Sequence, residues 1–330
     1  MTDPIVVEVL RGDRVESAHR GAGAVVDAGG RVALAFGDID RPVYPRSAVK
    51  AFQALPLIEG GAADRLSLTD VEIALACASH SGENEHVALV SGMLAKAGRD
   101  AGALECGAHW PLGDSAARAL ARSGRDPSAL HNNCSGKHAG FVCLACAEGV
   151  DPEGYVSPDH RVQNAVTEAL SAVTGARLGP ENRAVDGCSI PAFAIPLRAL
   201  ALGFARFATG QGLPPERARA AARIRAAVAA NPWAVAGRGR FDTEVMTVLG
   251  ARAFTKTGAE GLFCAALPEL GLGIAVKAED GAGRAAQVMI AALLGRFGGF
   301  GEALDRLAAP ALLNWNGLPV GALRPAGPLA

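Results

Sequence analysis

Short apolar runs bounded by turn residues occupy the first 40 positions. Ile5–Leu10 and Val15–His19 flank Arg11-Gly12-Asp13-Arg14, a hairpin turn signal, and Ala24–Val26 and Val32–Phe36 flank Asp27-Ala28-Gly29-Gly30 in the same way. Beyond residue 47 the pattern changes to helical spacing. Ala-rich segments near 70–78, 86–98, 115–123, 138–148, 159–174, 192–208 and 215–230 are separated by Gly, Pro and Asp. Strand signals return at Ala253–Lys256, Leu262–Leu267 and Leu272–Lys277, with Pro268-Glu269-Leu270-Gly271 joining the last two, and a helix is predicted over Gly283–Phe297. Strands at both ends with helices between them predict an α+β fold: one antiparallel sheet built from both termini, with a helical subdomain inserted. Residues 1–46 and 236–330 would form the sheet part, and 47–235 the mainly helical part.

Composition narrows the function more than the fold. The chain has 330 residues, of which 50% are hydrophobic and 20% charged, and its formal net charge is −1. No basic stripe points to a nucleic-acid partner and no acidic tail to a disordered arm. The N-terminus lacks a charged and then apolar leader, and no uninterrupted run reaches about 18 apolar residues, so neither export nor a membrane span is expected. Seven cysteines, an odd number in a large chain, argue for reduced thiols. Cys143-Leu144-Ala145-Cys146 has redox-type spacing but lies in the apolar run Gly140–Ala147, and reads as helix core.

Lysine is scarce. Only five of the 32 basic residues are lysine, and three of them, Lys50, Lys137 and Lys256, stand in motifs. Arginine serves wherever a permanent charge is enough, but it cannot lose its proton, whereas a desolvated lysine amine can. Ser47-x-x-Lys50 follows Tyr44-Pro45-Arg46 and opens an apolar helical segment. Residues three apart share a helix face, and first-turn N–H groups favour a developing oxyanion. A lone Ser-x-x-Lys arises by chance; it gains weight from Lys256-Thr257-Gly258 at the end of a predicted strand. Together these motifs are the signature of penicillin-recognising serine acyltransferases and class A β-lactamases. A third element, Ser79-His80-Ser81-Gly82-Glu83, follows the apolar run Ile73–Ala78. It supplies a further serine in a β-lactamase-like fold, or simply caps a helix.

The fourth element pairs His131-Asn132-Asn133-Cys134-Ser135-Gly136-Lys137-His138 with Val185-Asp186-Gly187-Cys188-Ser189. Two cysteines, an aspartate and a scarce lysine suit a tetrahedral zinc site, although lysine is a rare ligand because it must deprotonate. Two buried thiols beside a helix start at Ser135 explain the same residues, and spacing does not choose between the two readings.

Taken together, Tyr44–Ala54, Ala78–Glu83, His131–His138, Asp186–Pro191 and Lys256–Gly261 resemble the L-asparaginase II family of Rhizobium type, in the serine β-lactamase-like and glutaminase-like superfamily. The resemblance implies a serine β-lactamase-like fold and two Ser–Lys tandems, Ser47–Lys50 and Ser79–Lys256, facing one carboxamide. It also implies zinc held by Cys134, Lys137 and Cys188 with Asp186 near it, a homodimer, and a cytoplasmic location.

On that basis the expected activity is hydrolysis of L-asparagine to L-aspartate and ammonia. Ser47 attacks with neutral Lys50 as general base, Ser79 and Lys256 relay a proton to departing ammonia, and N–H groups near Ser47 and Ala259 hold the oxyanion. Arg46, His80 and His138 are the candidates to recognise the substrate's α-carboxylate or amine. Three rival readings remain. A glutaminase differs by one methylene, worth only about 1–3 kcal/mol in a pocket. A β-lactamase or DD-peptidase-like hydrolase predicts nitrocefin turnover, and a silent metal-binding scaffold predicts zinc without ammonia release.

Overall fold

A computed structural model describes residues 2–330. The strands are β1 (Ile5–Arg11), β2 (Arg14–Asp27), β3 (Val32–Phe36), β4 (Pro42–Val43), β5 (Arg183–Val185), β6 (Pro191–Phe193), β7 (Ile195–Pro196), β8 (Phe254–Thr257), β9 (Leu262–Leu267), β10 (Leu272–Ala278), β11 (Ala311–Leu313) and β12 (Pro319–Pro325). The helices are α1 (Lys50–Gln53), α2 (Leu55–Glu59), α3 (Ala62–Arg65), α4 (Asp70–Ala76), α5 (Asn84–Lys96), α6 (Asp114–Arg122), α7 (Ser135–Ala147), α8 (Arg161–Thr174), α9 (Leu197–Thr209), α10 (Pro215–Ala230), α11 (Pro232–Ala236), α12 (Phe241–Leu249), α13 (Gly283–Gly298) and α14 (Glu302–Ala308). None is long and apolar enough to cross a membrane.

The main sheet runs β11-β12-β1-β2-β10-β9-β8, with β3 also on β2, and its pairings are antiparallel. Both termini build it, and helices intervene, as the alternation of element types predicts. Period-two burial divides the strands between two cores. Ala24 and Ala275 face the helical side, while Val25, Ile274 and Val276 face the other. Helix α9 covers the first face and α13 the second.

Two expectations needed correction. The segments Val15–His19 and Ala24–Val26 are one 14-residue strand, because the glycines between them do not turn the chain. They permit close approach: a Cβ at Gly21 would meet Lys277 O at 2.6 Å, and one at Gly23 would meet the Phe36 ring at 2.4 Å. The segment near 192–208 begins its helix only at Leu197, since Pro191 and Pro196 fall in the short strands β6 and β7. The terminal strands β11 and β12 carry no clear alternation; β12 pairs with β1, and β11 pairs in turn with β12. Cys143 and Cys146 lie within α7, as expected, and all seven cysteines are free.

Four segments converge at one end of the sheet. The turn Arg46–Val49 leads into α1 and carries Ser47 and Lys50, and α4 ends just before Ser79. Helix α7 begins beside Cys134 and carries Lys137, while β8 supplies Lys256. Gly136 lets α7 lie against the end of α4, for a Cβ there would stand 2.4 Å from Leu75 O.

Candidate active site

Ser79 is the hub of the buried chemistry. Its hydroxyl receives hydrogen bonds from Lys50 Nζ at 2.9 Å and Lys256 Nζ at 3.1 Å, and both lysines are essentially inaccessible to solvent. Lys50 also donates to Ala78 O at 2.5 Å and Cys134 Sγ at 3.1 Å, so its three N–H bonds are all used. Lys256 has one further partner, Thr257 O at 3.0 Å. Burial is the largest influence on both amines. It pushes Lys256 down to about 7, assisted by the Lys50 charge and opposed by Asp242. Lys50 is lowered too, against the opposing pull of Cys134.

Of the two expected tandems, Ser79–Lys256 is joined by a hydrogen bond, and among the described residues Ser47–Lys50 is not. The Lys50 amine reaches Ser79 rather than Ser47, because Ala78 O, Ser79 and Cys134 surround it on the far side of the turn. Ser47 instead lines an open cavity of about 320 Å³, together with Arg46, Ser79, Cys134, Asp186, Cys188, Thr257, Gly258 and Ala259. Among the described residues, neither the Ser47 N–H nor the Ala259 N–H has a hydrogen-bond partner. The Ser79 N–H, by contrast, donates to Val235 O at 2.8 Å. Both residues line the same cavity, so each N–H is free to donate to a bound group there, and one of them belongs to the serine itself. Backbone strain gathers here as well. Arg46, Ser189 and Glu260, three of the four non-glycine residues with positive φ, sit at or next to cavity residues.

Lys137 Nζ donates to Cys188 Sγ at 3.1 Å. A hydrogen bond from Cys188 is the main reason the Cys134 thiol lies well below its usual range, and Lys50 and Lys137 add to the effect. The same bond, with burial, raises Cys188. Burial would lower Lys137, but the charges of Cys188, Cys134 and Asp186 together outweigh it and leave the amine raised. Two buried sulfurs and the Lys137 amine match the donor types of a zinc site, and a metal there would displace protons these groups carry. Among the described residues no three His, Cys, Asp or Glu side chains are placed to hold a metal, so such a site depends on Lys137. Asp186 has another partner: its Oδ1 accepts from Arg46 Nε at 2.5 Å.

His80 and His138 do not line the cavity. Both are fully buried behind it. His80 Nε2 donates to Ser135 Oγ at 2.9 Å and its Nδ1 accepts from Gly82 N at 3.1 Å, while His138 Nδ1 meets Tyr155 Oη at 2.6 Å. Burial first, and neighbouring cations or histidines second, hold both rings well below the usual histidine range, so they are neutral wall supports. Arg46 does reach the cavity. The residues that motif reading missed are His109, Leu112, Asn132, Asn133 and Arg240. The two asparagines stood in a quoted block without a role. Asn132 ties Cys106 O to Cys134 N at 2.8 Å each, and the Asn133 N–H donates to His109 Nε2 at 3.0 Å. His109, Leu112 and Arg240 come from loops that carry no periodic or motif signal.

Among solved structures, the chain is similar to a β-lactamase from Mycobacterium bovis, at 15% identity over 84% of this chain and 94% of that one, with a TM-score of 0.41. It is also similar to a mutant simvastatin synthase from Aspergillus terreus, at 13% identity over 78% and 86%, with a TM-score of 0.40. No curated protein matches it. Residues 7–325 match L-asparaginase II, and the chain belongs to that family.

Proposed function

We propose that this protein hydrolyses L-asparagine to L-aspartate and ammonia through an acyl-enzyme on Ser47. The observation that carries the reading is the pair of unengaged N–H groups, of Ser47 and Ala259, in a cavity that also holds the doubly bonded Ser79. Family membership supports an amidohydrolase.

In this reading Ser47 Oγ attacks the side-chain carbonyl carbon, and its proton passes through the Ser79 hydroxyl to neutral Lys256. Lys50, held as a donor to Ser79, offsets negative charge that develops on that relay. The tetrahedral oxyanion accepts from the two N–H groups. Collapse breaks the C–N bond, Lys256 returns the proton to the departing nitrogen, and ammonia leaves an aspartyl ester. Water, deprotonated along the same relay, cleaves that ester, and Ser47 recovers its proton. Asp186 Oδ2, left over from the pair with Arg46, accepts from the substrate's α-ammonium. Burial matters because neutral Lys256 exists near pH 7 only while the site excludes water.

Cys134, Lys137 and Cys188 are the residues that would hold a zinc ion, which would supply Lewis-acid attraction for a polar group of the substrate and cross-link the cavity wall. Elemental analysis of the protein as purified is expected to find one zinc per chain, and Cys188→Ser is expected to lose it. Metal-free wild type that binds no added zinc would remove the metal from this reading.

The function is tested by ammonia release from L-asparagine and L-glutamine side by side, with zinc present and nitrocefin as a third substrate. Release from asparagine with nitrocefin untouched is the expected result. Silence on both amino acids sinks the proposal, and faster release from glutamine reassigns the substrate.

A further inference from the structure

Arg240 stands out among the cations of the cavity because no acid among the described residues pairs with it. Arg46 is paired with Asp186, and the buried amines Lys50 and Lys256 are committed to Ser79. Arg240 lines the cavity, is only half-exposed, and makes no side-chain hydrogen bond or ion pair among the described residues. Among the described residues none of the acids along this stretch forms an ion pair with it. Arg238 absorbs Glu83 and Glu85, Asp242 Oδ1 accepts the Thr257 N–H at 2.8 Å, and Asp114 faces Arg118.

The turn that presents Arg240 is held firmly. Ser81 Oγ donates to Ala236 O at 2.8 Å and Glu83 accepts the Arg238 N–H at 2.8 Å. Gly237, at φ 118°, passes so near Ser81 that a Cβ would stand 2.2 Å from its hydroxyl. Ser81 thus finds its role: it clamps this turn rather than lining the catalytic cavity. Ordering a glycine-rich turn costs conformational entropy, and here the result is to place a guanidinium at the rim of a cavity of about 320 Å³.

We infer that Arg240 binds the α-carboxylate of the amino-acid substrate and so restricts the enzyme to free α-amino acids over simple amides. The planar fork of a guanidinium suits a carboxylate, and the cavity offers no other unneutralised guanidinium. With Asp186 in the same cavity lining for the α-ammonium, the two charges of a zwitterion each find a partner. The inference rests on the asparagine reading above, and the test separates the two.

L-Asparagine is compared with 3-aminopropanamide, which keeps the amine and carboxamide but lacks the α-carboxylate, in wild type, Arg240→Gln and Arg240→Lys. Removing a charged hydrogen bond should raise KM for asparagine roughly 10- to 100-fold in Arg240→Gln. Its kcat/KM for 3-aminopropanamide should stay near the wild-type value, and Arg240→Lys should recover part of the loss. L-Aspartate should lose affinity as a competitive inhibitor by a similar factor. Equal losses on both amides, or unchanged asparagine kinetics, would overturn the role of Arg240. Wild type inactive on asparagine would instead sink the activity itself, and this role with it.

Discussion

Ser47→Ala is expected to lower kcat for L-asparagine on the order of 10⁴-fold or more, with the thermal unfolding midpoint close to wild type. The loss is large because the nucleophile acts as one unit with its relay and oxyanion donors. Folding should survive because Ser47 lies on the cavity surface and its hydroxyl has no hydrogen bond among the described residues. The informative comparison is Ser79→Ala. That variant should also be slow, since the proton path is broken, but acid-quenched wild type given asparagine should carry its aspartyl adduct on the peptide with Ser47. The argument for Ser47 is electrostatic. Its own N–H is unengaged and stands ready for the oxyanion, whereas the N–H of Ser79 is committed to Val235 O. An adduct mapped to Ser79 would reverse the two roles.

Lys256→Met is expected to cost 10²- to 10⁴-fold in kcat/KM, the usual contribution of a general base. The pH profile gives an independent reading of the same group. Burial holds the amine at about 7, so it is neutral and competent above that pH and protonated below it. Activity should therefore fall about tenfold per unit as pH drops below about 7, and that acid limb should be missing from the residual rate of Lys256→Met. Lys50 predicts a different phenotype. In the proposed relay its three hydrogen bonds hold it as a donor to Ser79 rather than as the base, so Lys50→Met should weaken activity while leaving the acid limb in place. An unchanged limb in Lys256→Met would show that another group titrates.

The apolar runs at Val32–Phe36, Leu262–Leu267 and Leu272–Ala278, bounded by turn residues, and the helical period from Asp70 to Ala230 were legible because hydrophobic spacing and turn chemistry are local properties of the chain. The five sequence blocks also named Ser47, Lys50, Ser79, Cys134, Lys137, Cys188 and Lys256, which the fold brings to one site. Three of the scarce lysines, Lys50, Lys137 and Lys256, are the buried ones at this site. Tertiary structure decided which groups meet. Lys50 and Lys256 converge on one hydroxyl from positions 29 and 177 residues away, and Arg46 takes Asp186 from the thiols across 140 residues. His80 and His138, candidates in sequence to recognise the substrate's charged groups, are buried and do not line the cavity, while Arg240 carried no motif and lines it. Periodicity records which face of an element is buried. The partner of a buried amine or an unpaired guanidinium depends on where distant segments cross, and only the packed chain fixes that.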